Sequence, residues 1–206
     1  KLHLQRIFIN EGHLKSLQQK EELQQYFHQK ISLVSNSTPS FFEQAFYFQC
    51  YYWYHFLIQD FENCFRYSQK WVQLYESDIN MIAKDIDMYL RASHHLLNSA
   101  FFIKNELVLT QKLEQFELFI ENKKDFFGLN TNVQAHLFLY QAKLNQYFVR
   151  AKFKVGLSII PEVIAFVETY NYQLDNYKIM ILYYKIACCY FGAEQPEKAL
   201  DYLNQI

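Results

Sequence analysis

From Ser40 to Phe127 the chain contains neither Gly nor Pro. No other feature constrains its fold as strongly. A sheet protein of this length needs a hairpin turn every ten residues or so, and the favoured turns use Gly or Asn-Gly at positive φ. A stretch this long without a breaker reads instead as helix after helix, since strands usually run about 3–10 residues. The whole sequence carries only 4 Gly and 3 Pro. Glycine-rich phosphate loops and dinucleotide fingerprints are therefore excluded. An apolar content of 51% excludes a disordered chain.

The charge is balanced. Twenty basic and 21 acidic residues leave a net charge of -1, and no basic field is present to neutralise a row of phosphates. Nucleic acid is not expected as the ligand of this segment. The longest apolar runs, such as Ile179 to Tyr184, stop short of the ~20 residues a membrane span requires. Cys50, Cys64, Cys188 and Cys189 form no C-x-x-C pair and sit in apolar stretches, so they read as small buried hydrophobes in a reducing compartment, the cytoplasm. The sequence shows no initiator Met and no signal peptide. It closes at Ile206 inside a motif, which reads as a segment of a longer protein that could carry a signal peptide upstream.

Caps set the helix boundaries. Ser40-Phe-Phe-Glu43 has the form of a capping box behind Pro39 and predicts a helix to about Ile58. Asp60 caps a second, to about Tyr75. Ser77 and Asp78 cap a third, to about Ile103, and Asn105 a fourth, to about Glu121. Residues 122–130 read as a loop ended by Gly128. Thr131-Asn-Val-Gln134 is a second capping box for a helix to about Phe153, after which Gly156 turns the chain. Further helices are predicted over about 157–168, with Pro161 either in the first turn behind Ser158 or at a kink, and over about 175–191. Gly192 ends the last of these, and Gln195-Pro196-Glu197 restarts the chain. Before Pro39, Gly12 separates Leu4–Ile9 from a helix between about His13 and Val34, and Ser35-Asn-Ser-Thr38 is a linker. The expected organisation is an N-terminal helical segment, 1–38, packing on a helical-pair array, 39–206.

The second helices of the pairs are predicted to begin near 60, 105, 156 and 195, a spacing of about 40–50 residues that points to a helical-pair repeat. The clearest window holds Tyr183, Ile186, Ala187, Tyr190, Ala199 and Leu203. Small Ala187 and Ala199 would let two antiparallel helices approach, with Tyr183, Tyr190 and Leu203 filling the space beside them. This window resembles the tetratricopeptide repeat family, whose pattern runs aromatic, Leu-Gly, Tyr, Ala, Phe. Weaker windows lie around Phe48, Tyr52 and Cys64, around Leu96, Ala100 and Leu109, and near Leu144, Phe148 and Leu157. The resemblance implies an all-α fold, a right-handed α-solenoid of antiparallel helical pairs, four of them here. It also implies a non-enzymatic scaffold whose first helices line a concave groove for a protein or peptide. The family's groove positions fall on Gln49, Trp53, Arg91, His94, Asn98, Gln146, Tyr184 and Cys188, a polar-aromatic lining with little charge. Tyr184 and Cys188 stand where the family's carboxylate clamp has Asn and Lys, so C-terminal carboxylates are not the expected ligand. Side-chain amides suit an extended peptide backbone. Alternatively the groove is filled by the chain's own continuation, or the repeats are the peptide-sensing half of a regulator whose output domain lies elsewhere.

No residue pattern calls for catalysis, a metal or a cofactor. Adjacent His94 and His95 point about 100° apart on a helix and cannot chelate as an i, i+4 pair would. No G-x-S-x-G elbow, H-E-x-x-H or E-x-x-H is present. Glu114, Glu117 and Glu121 read as a solvated face. The aromatic run Phe46–Phe56 covers every side of one helix, so most of it must be packing, with a remainder free to line a groove.

Overall fold

Several helices start where a short polar side chain takes a free backbone N–H. In the computed structural model, which describes residues 1–31 and 39–206, the Ser40 hydroxyl accepts from the Glu43 N–H at 3.4 Å, and the Glu43 carboxylate accepts from the Ser40 N–H at 2.7 Å. This reciprocal box opens α3, Phe41–Leu57. Asp60 accepts from Asn63 N–H (3.2 Å) to open α4, Phe61–Glu76, and Asn105 accepts from Val108 N–H (3.1 Å) to open α7, Glu106–Lys123. The remaining helices are α1 (Leu2–Glu11), α2 (Leu17–Ile31), α5 (Ile79–Lys84), α6 (Ile86–Phe102), α8 (Leu129–Val149), α9 (Phe153–Gly156), α10 (Ile160–Tyr170), α11 (Asn176–Gly192) and α12 (Pro196–Leu203). Short 3₁₀ turns lie at Lys124–Phe126 and Leu157–Ile159. The described residues contain no strand. The end of the predicted N-terminal helix, at Val34, and the linker 35–38 lie outside the described residues.

Several predicted boundaries are corrected. The helix expected from Asp78 to Ile103 is two, because Asp85 leaves helical geometry (φ -148°, ψ 67°) and turns its carboxylate onto the Met88 N–H. Asp competes with the backbone in this way wherever the chain gives it room. Thr131 is not a cap: α8 begins at Leu129, after an extended Gly128 whose carbonyl takes the Asn132 N–H at 2.9 Å. Gly156 does not turn the chain. It is helical (φ -61°), and a Cβ there would lie 3.1 Å from the Tyr147 side chain, so the position serves close packing. Gly192 ends α11 as expected, and it too serves close packing, with the Phe153 ring only 2.5 Å from where its Cβ would stand.

The turns fall elsewhere, on residues that are not glycine. Among the described residues, Gln59, Lys104, Ala151 and Glu194 have φ of 63°, 55°, 51° and 64°, at intervals of 43 to 47 residues. Each follows a helix end and precedes the next helix by one capping residue. Three of the four close in the same way. Gln59, Ala151 and Glu194 donate to the carbonyls of Phe56, Phe148 and Phe191, and the next residues, Asp60, Lys152 and Gln195, donate to His55, Tyr147 and Tyr190, each at 2.9 Å. This is the paired-bond closure of a helix C-terminus, and a side chain in that left-handed conformation costs roughly 1–2 kcal/mol. A phenylalanine stands three residues before every one of these turns: Phe56, Phe101, Phe148 and Phe191.

The chain divides into two compact units, Lys1–Ile103 and Lys104–Ile206. In the first, α4 runs antiparallel to α3, with Phe41 against Tyr75 (4.9 Å) and Tyr51 against Tyr67 (4.5 Å). One core joins α3, α4, α5 and α6 around Trp71, Tyr75, Met81 and Leu96. A second joins α1, α2 and the far side of α3 around Leu4, Leu23, Phe27, Tyr54 and Leu57. The aromatic run of α3 faces all ways because the helix is packed on both sides. In the second unit α8 holds the central place, buried from Val133 to Asn145 on nearly every side. It pairs antiparallel with α7 through Arg150–Glu106, Gln146–Thr110 and Lys143–Glu117. Tyr140 reaches α10, donating to Glu162 at 2.9 Å. α12 folds back on α11 with Tyr202 against Tyr183 and Tyr190.

Candidate functional site

Counting back from the left-handed turn residues puts the first helices in one register. Ten residues before the turn stand Gln49, His94, Gln141 and Tyr184; six before stand Trp53, Asn98, Asn145 and Cys188. Six of the eight residues expected to line the groove stand at these two positions, Gln49, Trp53, His94, Asn98, Tyr184 and Cys188, and Arg91 stands one turn ahead of them. Gln146 is one residue out of step. Its amide donates to Thr110 on α7 at 3.2 Å, beside the Arg150 guanidinium, and so serves the α7–α8 pairing. Asn145 stands in the register position instead, 1% exposed, and accepts from the Lys185 ammonium of α11. The four phenylalanines at intervals of 43 to 47 residues are the sequence signal that would have set this register.

Within the first unit the structure brings α3 and α6 together. Gln49 is 1% exposed. Its Nε2 lies 3.9 Å from the Met88 sulfur, and its Oε1 has no hydrogen-bond partner, so in this state it offers no accessible surface. Trp53 is half-buried between Phe8 of α1 (5.8 Å) and His95 (5.9 Å). His94 and Asn98, one turn apart, meet at 2.9 Å, and Arg91 is exposed ahead of them. Of the histidine pair, His95 is the one facing the core, against Tyr52 (4.2 Å), Trp53 and Trp71 (5.8 Å). Its Nδ1 is buried, and its pKa is pushed down to about 3, first by burial and then by the charges of Arg91 and Lys1, so it is neutral at physiological pH. Burial and the Arg91 charge also lower the Lys1 amine.

The face of α3 that carries Trp53 and Phe56 is covered by the chain's own N-terminal helix. Phe8 of α1 lies against both rings, at 5.8 and 5.2 Å. The segment that follows is tied down at the end of α3: His13 Nδ1 lies 2.8 Å from the Phe56 carbonyl and the Leu14 N–H donates to the Leu57 carbonyl at 2.9 Å. The Leu57 carbonyl would otherwise be among the four a helix C-terminus leaves unpaired.

In the second unit Tyr184 is 58% exposed and hydrogen-bonded to the half-buried Cys188 one turn on; that bond, and the charge on Cys188 when ionised, raise the tyrosine pKa. Lys185 beside them is pushed down to about 8, chiefly by burial. Two surface cavities accompany these faces. One of about 210 Å³ lies between α1 and α2, lined by His3, Ile7, Leu14 and Tyr26. One of about 140 Å³ lies between α8 and the start of α11, lined by Asn130, Gln134, Leu174 and Lys178. Both fall below the ~300 Å³ at which small-molecule pockets usually begin.

Elsewhere the reactive residue types are held in structural positions. His55 and Asp60 meet at 3.1 Å, but Asp60 is the cap of α4, bonded to the Asn63 backbone and side chain. The Cys64 thiol donates to the Tyr52 carbonyl at 3.7 Å and is held well above the usual thiol range by burial. Cys189 is raised to about 11 for the same reason. Among the described residues no three His, Cys, Asp or Glu side chains gather as metal ligands would, and no helix is long and apolar enough to cross a membrane. Comparison with family models, with curated proteins and with solved structures finds no match to this chain, so its likeness to other proteins rests on its own residues alone.

Proposed function

We propose that the chain is a non-enzymatic scaffold: a tetratricopeptide-like array of antiparallel helical pairs, a right-handed α-solenoid, that binds a protein or peptide segment on the inner faces of its first helices. The observation that carries this reading is the recurrence of one turn, Phe-x-x followed by a left-handed residue and a capping residue, every 43 to 47 positions. A turn repeated at that interval presents the same two side-chain positions on each first helix, and a stack of such helices makes an extended surface. Of the side chains there, His94, Asn98, Tyr184 and Cys188 are at least partly exposed and Trp53 is half-buried against Phe8, while Gln49, Gln141 and Asn145 are buried. Amides, an imidazole and aromatic rings can bond a peptide backbone and cover its side chains. The net charge of -1 favours a protein or peptide over nucleic acid. Four free cysteines suit a reducing compartment, the cytoplasm.

The test is selection of a displayed random-peptide library on the purified chain, repeated on Arg91→Ala/His94→Ala/Asn98→Ala and on Tyr184→Ala/Cys188→Ala. All five side chains are at least partly exposed, so the helical circular dichroism should persist. Peptides enriched by the parent and lost by either variant support the groove. Enrichment indifferent to both variants sinks it.

A further inference from the structure

The inner face of α11 is apolar and bare. Tyr177, Met180, Tyr184 and Phe191 are 61%, 39%, 58% and 72% exposed, and with half-buried Cys188 they recur every three or four residues along one side of the helix. The other side of α11 is accounted for by Leu182, Ile186, Ala187 and Cys189, all buried. A core helix has no packing reason to carry this second apolar stripe.

The same molecule shows what covers such a stripe. Six and three residues before its turn, α3 has Trp53 and Phe56; at the same places α11 has Cys188 and Phe191. On α3 these positions lie under α1, a ten-residue helix. It turns Leu4, Ile7 and Phe8 to the α3 side, at i, i+3 and i+4, with Phe8 against both rings. The size of the open face argues against a second copy of the chain as the occupant. Aromatic side chains carry about 150–250 Å² each. At their exposures Tyr177, Tyr184 and Phe191 therefore offer roughly 400 Å², half of the ~800 Å² per partner that a stable protein pair usually buries. It matches one helix laid along the face.

We propose that the exposed face of α11 docks a short amphipathic helix of a partner protein, with bulky apolar side chains at i, i+3 and i+4 in the manner of Leu4, Ile7 and Phe8. This rests on the scaffold reading and narrows it to a helical ligand at one defined helix.

The experiment uses the whole chain and a labelled peptide with the sequence of residues 1–12, held helical by a side-chain bridge on its solvent side. A second peptide carries Arg6→Pro, which cannot continue the helix. Fluorescence anisotropy should show saturable binding of the helical peptide. Binding should weaken about tenfold or more with the Arg6→Pro peptide and with the Tyr184→Asp or Phe191→Asp chain. A Phe126→Asp chain, altered at an exposed residue away from α11, should bind as the parent does. Failure of the helical peptide to bind would overturn the proposal. So would equal binding of both peptides, which would leave an extended-peptide scaffold standing. Self-association of the chain in sedimentation, abolished by Phe191→Asp, would overturn it in favour of a second copy.

Discussion

α3 and α11 end in the same turn and live in different surroundings. After α3, Gln59 and Asp60 bond back to Phe56 and His55; after α11, Glu194 and Gln195 bond back to Phe191 and Tyr190, with near-identical geometry. Yet α3 is packed on both sides, by α4 and α6 on one and by α1 and α2 on the other, while α11 keeps one side open. The turn is local and repeats because a few neighbouring residues suffice to close it. The covering is not local, and it decides which copies of the same face stay open to solvent. In the first unit Phe8 sits on Trp53 and Gln49 is shut away.

The comparison can be broken by treating the paired positions alike. Phe56→Ala should destabilise the first unit by about 3 kcal/mol, since it removes a ring packed against Phe8, His13, Tyr52 and Phe61. Phe191→Ala, at the equivalent place, should change stability by less than about 0.5 kcal/mol. Urea unfolding of both variants measures this, and equal losses would mean that the two faces are covered alike.

Gly192→Ala should cost about 2 kcal/mol and act on the second unit, because the added methyl meets the Phe153 ring. Amide hydrogen exchange resolved by residue would show faster opening in α9 and α11 and little change in α3 to α6.

A smaller effect separates the units by pH. His95 has a folded-state pKa near 3, below the ~6.5 of an unfolded histidine. Above pH 6.5 both states are neutral there. As pH falls from 6.5 toward 3 the unfolded chain takes a proton that the folded chain refuses. The first unit should then lose about 1.4 kcal/mol per pH unit at this site. His55, also lowered by burial, pulls in the same direction, so His95→Phe should make the acid slope shallower without abolishing it. Arg91 and Lys1 supply the like charges that face His95. In the second unit Lys185 gives a change of the same sign in a higher pH window. Its folded-state pKa near 8 lies below the ~10.4 of an unfolded lysine, so stability should rise between those values as the folded chain sheds the proton first. Hydrogen-exchange protection followed from pH 4 to 10 reads both, and an acid loss equal in the two units would remove the distinction.

How much was legible follows the same line between local and distant. Ser40, Asp60 and Asn105 act as read, because a cap needs only a side chain and an N–H two or three residues on. Asp85 has the same chemistry and was missed, since an Asp inside an otherwise periodic stretch looks like a solvent-facing helical residue. The sequence reads Gly128 as the end of a loop, Gly156 as a turn and Gly192 as a helix end, and only the reading of Gly156 fails. Gly156 and Gly192 are helical and small for packing reasons, and the turns sit on Gln59, Lys104, Ala151 and Glu194, whose left-handed geometry no residue type announces. Gln146 stands one residue from the register position of Asn145 because an alignment with weak anchors slips easily by one residue, and one residue on a helix is about 100° of direction.

The sequence by itself determined that the chain is helical, where most helices begin, and that Tyr184 and Cys188 share a side, because periodicity and capping are written in residues a few positions apart. Only the tertiary structure decided that α1 closes the Trp53 face, that His95 turns inward and is neutral, that Asn145 reaches Lys185, and that the stripe on α11 stays open. Each of those depends on which helix packs against which across 40 residues or more, and that is settled by the fit of whole faces.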